Sequence, residues 1–322
     1  MEYIWFLVGL VLIIKGGDFF VDSAVHIAKK FRVSEIIIGA TIVSIGTTLP
    51  EIMVSTGAAL KGLSSISYGN AIGSIICNTA FICAISIICR PMKIDKEPII
   101  IPTIFFFFST IVYVINVILY RRMSRLLGIF LLILFVVYMV QNVIASKKMR
   151  KKLEKEIENI NEEKGQKIIL DFVILIISGI MIAFGADFMV DNGVIIARSL
   201  HVPETVIALT MIALGTSLPE LVTAINALMK GHSSLSLGNI IGANLFNIVL
   251  VSGLSITVAP FELPDGKLIM GVPSSILVDI PIMFIVMIIL TIPSIKAEKI
   301  CRWQGVALMS IYVLYVMFQY IY

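Results

Sequence analysis

Two acidic side chains stand where a long apolar chain would not be expected to carry any. Glu51 ends the motif Gly-Thr-Thr-Leu-Pro-Glu at residues 46–51, and Glu220 ends Gly-Thr-Ser-Leu-Pro-Glu at residues 215–220. Both motifs lie in the middle of apolar segments long enough to cross a bilayer. An ionisable group at that depth is costly and is typical of an ion or substrate pathway.

Helical spacing gathers hydroxyl groups beside each glutamate. Three residues share one side of a helix with Glu51, at i, i+3, i+4 and i+7 spacing: Ser44, Thr47 and Thr48. The same spacing before Glu220 is occupied by Ala213, Thr216 and Ser217. Each glutamate is therefore predicted to lie on a face with oxygen donors.

A proline precedes each glutamate and is expected to break its helix. Pro50 has no N–H to offer the carbonyl of Gly46, and its ring crowds that carbonyl. Pro219 has the same relation to Gly215. Carboxylates, hydroxyls and freed carbonyls are hard oxygen ligands, which suit Na⁺ or Ca²⁺. A plain proline kink with a hydrogen-bonded glutamate is the alternative, and two matching copies argue against it.

Two further apolar segments supply a second layer of polar groups. Ser74 and Asn78 lie at i and i+4, and the matching positions are Ala243 and Asn247. We expect Asn78 and Asn247 to contact a cation or water. Small-xxx-small patterns accompany them and predict close helix packing, at Gly69, Gly73, Gly238 and Gly242.

Four aspartates occupy matching places in the first and sixth apolar segments: Asp18, Asp22, Asp187 and Asp191. Because they lie toward the ends of their segments, we interpret them as capping, hinge or salt-bridge residues rather than ligands. Lys15 is the partner suggested by its proximity to Asp18 in the sequence.

The composition places these residues in a membrane protein. Hydrophobic residues make up 58% of the 322 residues and charged residues 14%, with a mean hydropathy of +1.02. Soluble domains carry about a quarter charged residues. The apolar runs are continuous, which predicts an all-α integral membrane protein rather than a barrel. Ten spans are predicted, at about 3–28, 35–60, 67–89, 98–120, 125–145, 168–198, 203–229, 236–259, 270–292 and 302–321.

The chain contains an internal repeat. Residues 16–78 align without a gap with residues 185–247, and 28 of the 63 pairs are identical. The segment 146–167 separates the halves and holds eight Lys or Arg and five Glu. We therefore predict two five-helix repeats, 1–145 and 168–322, joined by a charged linker. Five spans per repeat would invert the second repeat, and such transporters bind substrate near the midplane, at the repeat interface.

The distribution of basic residues predicts an orientation. With the N-terminus outside, the inner loops and linker hold eighteen Lys or Arg and the outer loops six. Loops rich in Lys and Arg stay in the cytoplasm. We predict a multi-pass protein of the cell membrane with both termini outside and the linker cytoplasmic.

These motifs resemble the cation/calcium exchanger superfamily, and most closely its archaeal and bacterial sodium/calcium exchangers. The paired Gly-Thr-[Ser/Thr]-Leu-Pro-Glu motifs, each followed by Gly-Asn-x-Ile-Gly, carry the resemblance, which extends over the whole chain. It implies Na⁺/Ca²⁺ antiport by alternating access, with the first and sixth helices sliding across a core that holds the ions.

The resemblance also implies roles for individual residues. Glu51 and Glu220 would bind Ca²⁺, helped by the carbonyls of Thr47 and Thr216. The Na⁺ load would use the remaining oxygens, from Thr47, Thr48, Thr216, Ser217, Ser74, Ser44 and Ala213, the last two through their carbonyls. Asn78 and Asn247 would complete the middle of the site. Ala243 and Asn247 stand where related microbial proteins usually have Ser and Asp.

Other functions remain open at this point. The counter-ion can be H⁺, or K⁺ can be co-transported, and proline-broken helices with acidic residues can also line a cation channel. An intramembrane enzyme is a more distant reading, because no nucleophile–base set is visible. No phosphate-binding loop or catalytic motif is present. We expect no cofactor, no nucleic-acid partner and a monomer in the lipid bilayer.

Overall fold

A computed structural model describes residues 1–31, 33–156, 168–199, 215–263, 268–269 and 271–321. Its helices are Glu2–Phe31, Glu35–Ile38, Ser44–Thr47, Leu49–Leu60, Ser64–Cys77, Ala84–Cys89, Glu97–Tyr120, Arg125–Glu156, Ile168–Ser199, Leu218–Met229, Ser233–Phe246, Gly253–Val258, Ile280–Ala297 and Arg302–Ile321. Within the described residues, π-helical turns lie at Gly39–Val43, Asn78–Cys83, Asn247–Ser252 and Ser275–Asp279.

Three short antiparallel strand pairs accompany the helices. Met92–Lys93 pairs with Lys299–Ile300, Arg122–Met123 with Phe261–Glu262, and Leu268–Ile269 with Val272–Pro273. The last pair is a hairpin that turns at Gly271, whose φ is +80°. The predicted ninth span is therefore misplaced at its start: this hairpin occupies part of residues 268–273, and the spanning helix begins at Ser275.

The helices confirm an α-helical, multi-pass membrane protein. Seven described helical stretches are long and apolar enough to cross a bilayer, and the pair Glu35–Thr47 and Leu49–Leu60 counts as an eighth if it forms one broken span. Leu218–Met229 is a shorter apolar helix. Of the predicted span 203–229, residues 203–214 lie outside the described part, whereas the motif at 215–220 lies within it. Arg125–Glu156 continues beyond Ala145 into the charged linker.

Secondary structure recurs along the chain at the offset of the sequence repeat. Four successive elements have bounds that return 169 residues later. Leu49–Leu60, Ser64–Cys77, Asn78–Cys83 and Ala84–Cys89 correspond in order to Leu218–Met229, Ser233–Phe246, Asn247–Ser252 and Gly253–Val258. Residues 49–89 and 218–258 thus have the same sequence of secondary-structure elements.

The chain forms two compact units, and each draws on both halves of the sequence. The first unit contains Met1–Thr47 and Met139–Asn239, and the second contains Thr48–Tyr138 and Ile240–Tyr322. In the first unit, the helices Glu2–Phe31 and Ile168–Ser199 pack along each other. Glycine permits this approach, because a Cβ at Gly185 would lie 2.8 Å from the carbonyl oxygen of Gly9.

One end of the first unit carries ion pairs. Lys230 Nζ lies 2.7 Å from Asp22 Oδ1 and 3.6 Å from Asp18 Oδ1. His232 pairs with Glu35 at 2.8 Å, and His26 with Asp171 at 3.6 Å. The salt-bridge interpretation of Asp18 and Asp22 is confirmed, but the partner suggested by the sequence was wrong: it is Lys230 rather than Lys15.

The second unit has a core of aromatic and aliphatic side chains. Tyr113, Tyr138 and Phe246 are among its largest fully buried side chains. Phe246 meets Tyr138 and Phe135 edge to face, with ring centroids 6.0 and 5.2 Å apart. In this unit Leu49–Leu60 packs on Ser64–Cys77 and on the turn Asn247–Ser252. These are the elements that carry its candidate ion ligands.

Candidate ion-binding residues

A new helix begins two residues before each glutamate, next to the proline; in the first motif it follows a bend of 46° from the preceding helix. Thr48 caps Leu49–Leu60 with φ −84° and ψ 0°, and Ser217 caps Leu218–Met229 with φ −90° and ψ 4°. Pro50 and Pro219 stand in the first turns, where a missing N–H costs nothing. Each glutamate thus lies in the first turn of a helix, where the positive end of the helix dipole stabilises a carboxylate.

The break also corrects one part of the sequence interpretation. Ser44 and Thr47 belong to a short helix that follows a π-helical turn, whereas Thr48 is the cap of the next helix. The i, i+3, i+4, i+7 spacing is therefore not one continuous helical face. Proline at position 50 interrupts the ladder of hydrogen bonds on which that spacing depends.

The first unit contains four of the candidate ligands, which we call the first donor set: Ser44, Thr47, Ser217 and Glu220. Glu220 is fully buried, and neither carboxylate oxygen has a well-formed hydrogen bond to a described residue. The hydroxyl of Thr47 is its polar neighbour. The Ser217 hydroxyl is likewise buried without a described partner. Thr216 is half-buried beside the break, and Ala213 lies outside the described residues.

A close helix crossing positions the hydroxyls of the first donor set. A Cβ at Gly238 would lie 2.3 Å from the carbonyl oxygen of Ile36, and one at Gly39 would lie 2.5 Å from that of Leu235. The packing role predicted for Gly238 is confirmed. Among described atoms nothing lies within 4 Å of a Cβ at Gly69 or Gly73, so packing there has no such support.

Asn239 is a functional neighbour whose role the sequence did not reveal. Thr47 Oγ1 donates to Asn239 Oδ1 at 3.1 Å. Ser44 Oγ lies 2.9 Å from the Asn239 carbonyl oxygen and 3.3 Å from Oδ1. The repeat pairs Asn239 with Asn70, but a contact between positions 47 and 239 is not readable from either motif alone.

The second unit holds Thr48, Glu51, Ser74, Asn78 and Asn247, the second donor set, and all five are buried. Asn70 Nδ2 donates to the backbone carbonyl of Glu51 at 3.2 Å and to Ser55 Oγ at 2.8 Å. This bond fixes the backbone of the glutamate against Ser64–Cys77.

Asn78 and Asn247 open the two matching π-helical turns. Both side chains are fully buried, with 0% solvent accessibility. In each, neither the amide nitrogen nor the amide oxygen has a hydrogen-bond partner among the described residues. Buried polar groups are nearly always satisfied, and leaving one unpaired costs about 1–3 kcal/mol. π-helical turns often occur at functional sites.

The chemistry of both sets favours hard cations. No cluster of three His, Cys, Asp or Glu suited to a metal occurs in the part of the chain that the structure describes. The available donors are single glutamates, hydroxyls, amide oxygens and carbonyls, which are the ligands that Ca²⁺ and similar ions take in proteins. Fold and donors together define a helical membrane protein with buried oxygen donors of the kind that hard cations prefer.

The chain belongs to the sodium/calcium exchanger family. The family model for sodium/calcium exchanger protein matches residues 1–143 and 170–321. The chain is 31% identical to the sodium/calcium exchanger MaX1 of Methanosarcina acetivorans, over 97% of either chain. It is 34% identical to the membrane protein MJ0091 of Methanocaldococcus jannaschii, over 96% of this chain and 95% of that one.

A solved structure has the same fold. The sodium-calcium exchanger NCX_Mj, soaked with 2.5 mM Na⁺ and 0.1 mM Sr²⁺, superposes with a TM-score of 0.80 at 32% identity. The match covers 98% of this chain and 99% of that one. The resemblance that the sequence motifs indicated is therefore confirmed over nearly the full length.

Proposed function

We propose that this protein is a Na⁺/Ca²⁺ antiporter that works by alternating access, with ions bound within the membrane. It is a transporter of the sodium/calcium exchanger family and not an enzyme. The observation that carries the proposal is the pair of matching helix starts, each of which presents a fully buried glutamate in its first turn.

Glu51 and Glu220 are the proposed Ca²⁺ ligands. Two carboxylates balance the charge of one Ca²⁺, and the neutral amides of Asn78 and Asn247 add oxygens without adding charge. The carbonyls of Thr47 and Thr216 would complete its coordination. A divalent ion would thus compensate two acidic groups that are otherwise costly at this depth.

Na⁺ is proposed to use the neutral oxygens. These are the side chains of Thr47, Thr48, Thr216, Ser217 and Ser74 and the carbonyls of Ser44 and Ala213. If the site holds either one Ca²⁺ or the Na⁺ ions, but never both, the two kinds of ion compete for shared ligands. Such competition is the physical basis of antiport. Energy then comes from the Na⁺ gradient.

The ten-span, inverted-repeat organisation is part of the same proposal. The recurrence of element bounds at an offset of 169 residues supports it, as do the matching caps at Thr48 and Ser217. The ion pairs of the first unit bring Asp22, Glu35, Asp171 and Lys230 to one end, as the predicted topology requires. We assign that end, and the linker, to the cytoplasm.

Exchange of Ca²⁺ for H⁺, or co-transport of K⁺, are the alternatives, because Ala243 and Asn247 alter positions expected to serve Na⁺. Proteoliposomes loaded with Na⁺, K⁺, choline or acidic buffer should separate them. We expect ⁴⁵Ca²⁺ uptake only with Na⁺ inside. Uptake driven by the pH gradient, or uptake that requires K⁺ with Na⁺, would overturn the proposed counter-ion, and uptake with no counter-ion would indicate a channel.

A further inference from the structure

Asn239 breaks the symmetry of the repeat in an informative way. It is fully buried, and its Oδ1 accepts a hydrogen bond from Thr47 Oγ1 at 3.1 Å. Its Nδ2 has no hydrogen-bond partner among the described residues. Its repeat counterpart, Asn70, is bonded through Nδ2 to Ser55 and to the Glu51 carbonyl.

Two alanines account for this difference. Ser55 corresponds to Ala224 in the repeat, so the hydroxyl that receives a bond from Asn70 has no equivalent beside Asn239. Ser44 corresponds to Ala213, so the second hydroxyl beside Asn239 has no equivalent in the other half. Asn239 thus accepts from Thr47 through its side-chain oxygen, and Asn70 donates to Ser55 and to the Glu51 carbonyl through its side-chain nitrogen.

The choice of acceptor determines the direction of the Thr47 O–H bond and of the lone pairs on its oxygen. A hydroxyl has one proton and two lone pairs. Thr47 Oγ1 has three acceptors in reach: the amide oxygen of Asn239 at 3.1 Å, the backbone carbonyl of Ser44 at 3.5 Å, and the carboxylate of Glu220. If the hydroxyl donates to Glu220, its proton occupies a lone pair of the carboxylate and its own lone pairs point away from that carboxylate. If it donates to Asn239, the carboxylate keeps that lone pair, and the lone pairs of the hydroxyl are free to face a cation held beside the carboxylate.

We propose that Asn239 is a positioning residue: by accepting the hydrogen bond of the Thr47 hydroxyl, it turns the lone pairs of that hydroxyl toward a Na⁺ ion beside Glu220. The inference rests on the proposed function and adds a residue to it. Ser44, whose Oγ lies 3.3 Å from the same amide oxygen, contributes a second contact that fixes the Asn239 side chain.

Asn239→Leu removes the hydrogen-bond acceptor and keeps a side chain of similar volume. It should weaken the binding of Na⁺ more than the binding of Ca²⁺, because Ca²⁺ affinity depends mainly on the two glutamates. The expected loss of apparent Na⁺ affinity is about threefold to tenfold, the worth of one ordinary hydrogen bond. Ca²⁺ affinity should change less than about twofold. Both are measured on the purified protein by Na⁺ competition against ⁴⁵Ca²⁺ binding and by the Na⁺-dependent rise in melting temperature.

Three further variants make the test specific. Asn239→Asp keeps an acceptor oxygen and should not weaken Na⁺ binding. Asn239→Leu combined with Thr47→Val should weaken it no more than Thr47→Val alone, because both changes remove one interaction. Asn244→Leu, the same substitution at another fully buried asparagine of Ser233–Phe246, should leave the ratio of Na⁺ to Ca²⁺ affinity unchanged.

The outcomes are separable from those of the proposed function. If Na⁺ does not displace Ca²⁺ from the unaltered protein, the antiport proposal fails. If Na⁺ does displace Ca²⁺, but Asn239→Leu lowers the affinities for both ions equally or lowers neither, the role of Asn239 is refuted. Additive losses in the double variant, or a loss in Asn239→Asp as large as in Asn239→Leu, would refute it as well.

Discussion

At the scale of single residues, the protein buries two carboxyl groups within apolar helical segments. Glu51 and Glu220 are both fully buried, and each lies in the first turn of its helix. The helix dipole offsets part of the charge, typically by less than about 1 kcal/mol at exposed sites and by up to about 2 when partly buried. The rest of the compensation is assigned to the transported cation.

Replacing either glutamate by glutamine should abolish Ca²⁺ transport. Glu51→Gln and Glu220→Gln keep the side-chain shape but remove half of the negative charge that balances Ca²⁺. We expect ⁴⁵Ca²⁺ uptake at the level of empty liposomes, with the protein still folded by size-exclusion chromatography. Glu298→Gln, at an exposed carboxylate paired with Lys96, is the control and should transport normally. Near-normal uptake by either glutamate variant would refute its assignment as a ligand.

Ala243→Ser should strengthen Na⁺ binding. Ala243 is fully buried and corresponds to Ser74 in the repeat, so the substitution restores a hydroxyl at a position expected to serve Na⁺. One hydroxyl contact is worth about 0.5–1.5 kcal/mol, which is roughly a threefold to tenfold gain in apparent Na⁺ affinity. Na⁺ competition against ⁴⁵Ca²⁺ binding measures it. An unchanged Na⁺ dependence, or an equal shift in Ca²⁺ affinity, would show that position 243 is not a Na⁺ ligand position.

At the scale of elements, proline and glycine determine where the ligands go. Pro50 was sufficient to predict the break between Thr47 and Leu49, because the lost N–H and the crowded carbonyl are local effects. The partner of Asp22 was not predictable in the same way, since Lys230 lies more than 200 residues away in the sequence. The role of Asn239 was hidden for the same reason. The start of the ninth span was misplaced because Leu268–Ile269 and Val272–Pro273 form a hairpin there, which turns at Gly271.

Gly238→Ala should lower the free energy of unfolding. Its Cβ would lie 2.3 Å from the carbonyl oxygen of Ile36, and backbone cannot give way as a flexible side chain can. Overpacking of this kind costs typically about 1–3 kcal/mol. Thermal unfolding in detergent should show a lower midpoint. Gly73→Ala, on a helix surface where no described atom lies within 4 Å of the new Cβ, is the matched control. Equal midpoints for the two variants would contradict the close crossing.

At the scale of the whole molecule, the chain is an α-helical membrane transporter in which the elements of residues 49–89 recur at residues 218–258. Composition and apolar runs predicted the fold class, and the repeat was visible as 28 identical pairs over 63 positions. The division into compact units was not visible in the sequence, because each unit takes segments from both halves. Tertiary contacts between distant segments determine such units, and local propensity does not encode them.

The proposed orientation is tested by thiol labelling in intact cells. In a variant with Cys89 and Cys301 replaced by serine, a cysteine at Lys61 should react with an impermeant reagent, and one at Glu158 should not, because the Lys and Arg of the linker keep it in the cytoplasm. Permeabilised cells provide the control in which both react. Labelling at Glu158 but not at Lys61 would reverse the assigned topology.

The most direct test of the account is ⁴⁵Ca²⁺ uptake into proteoliposomes that contain the purified protein. The account predicts rapid uptake when the vesicles are loaded with Na⁺ and diluted into Na⁺-free buffer, and none when they are loaded with choline. A Na⁺ ionophore added before dilution should abolish the uptake. Equal uptake from Na⁺-loaded and choline-loaded vesicles would contradict Na⁺/Ca²⁺ antiport by this protein.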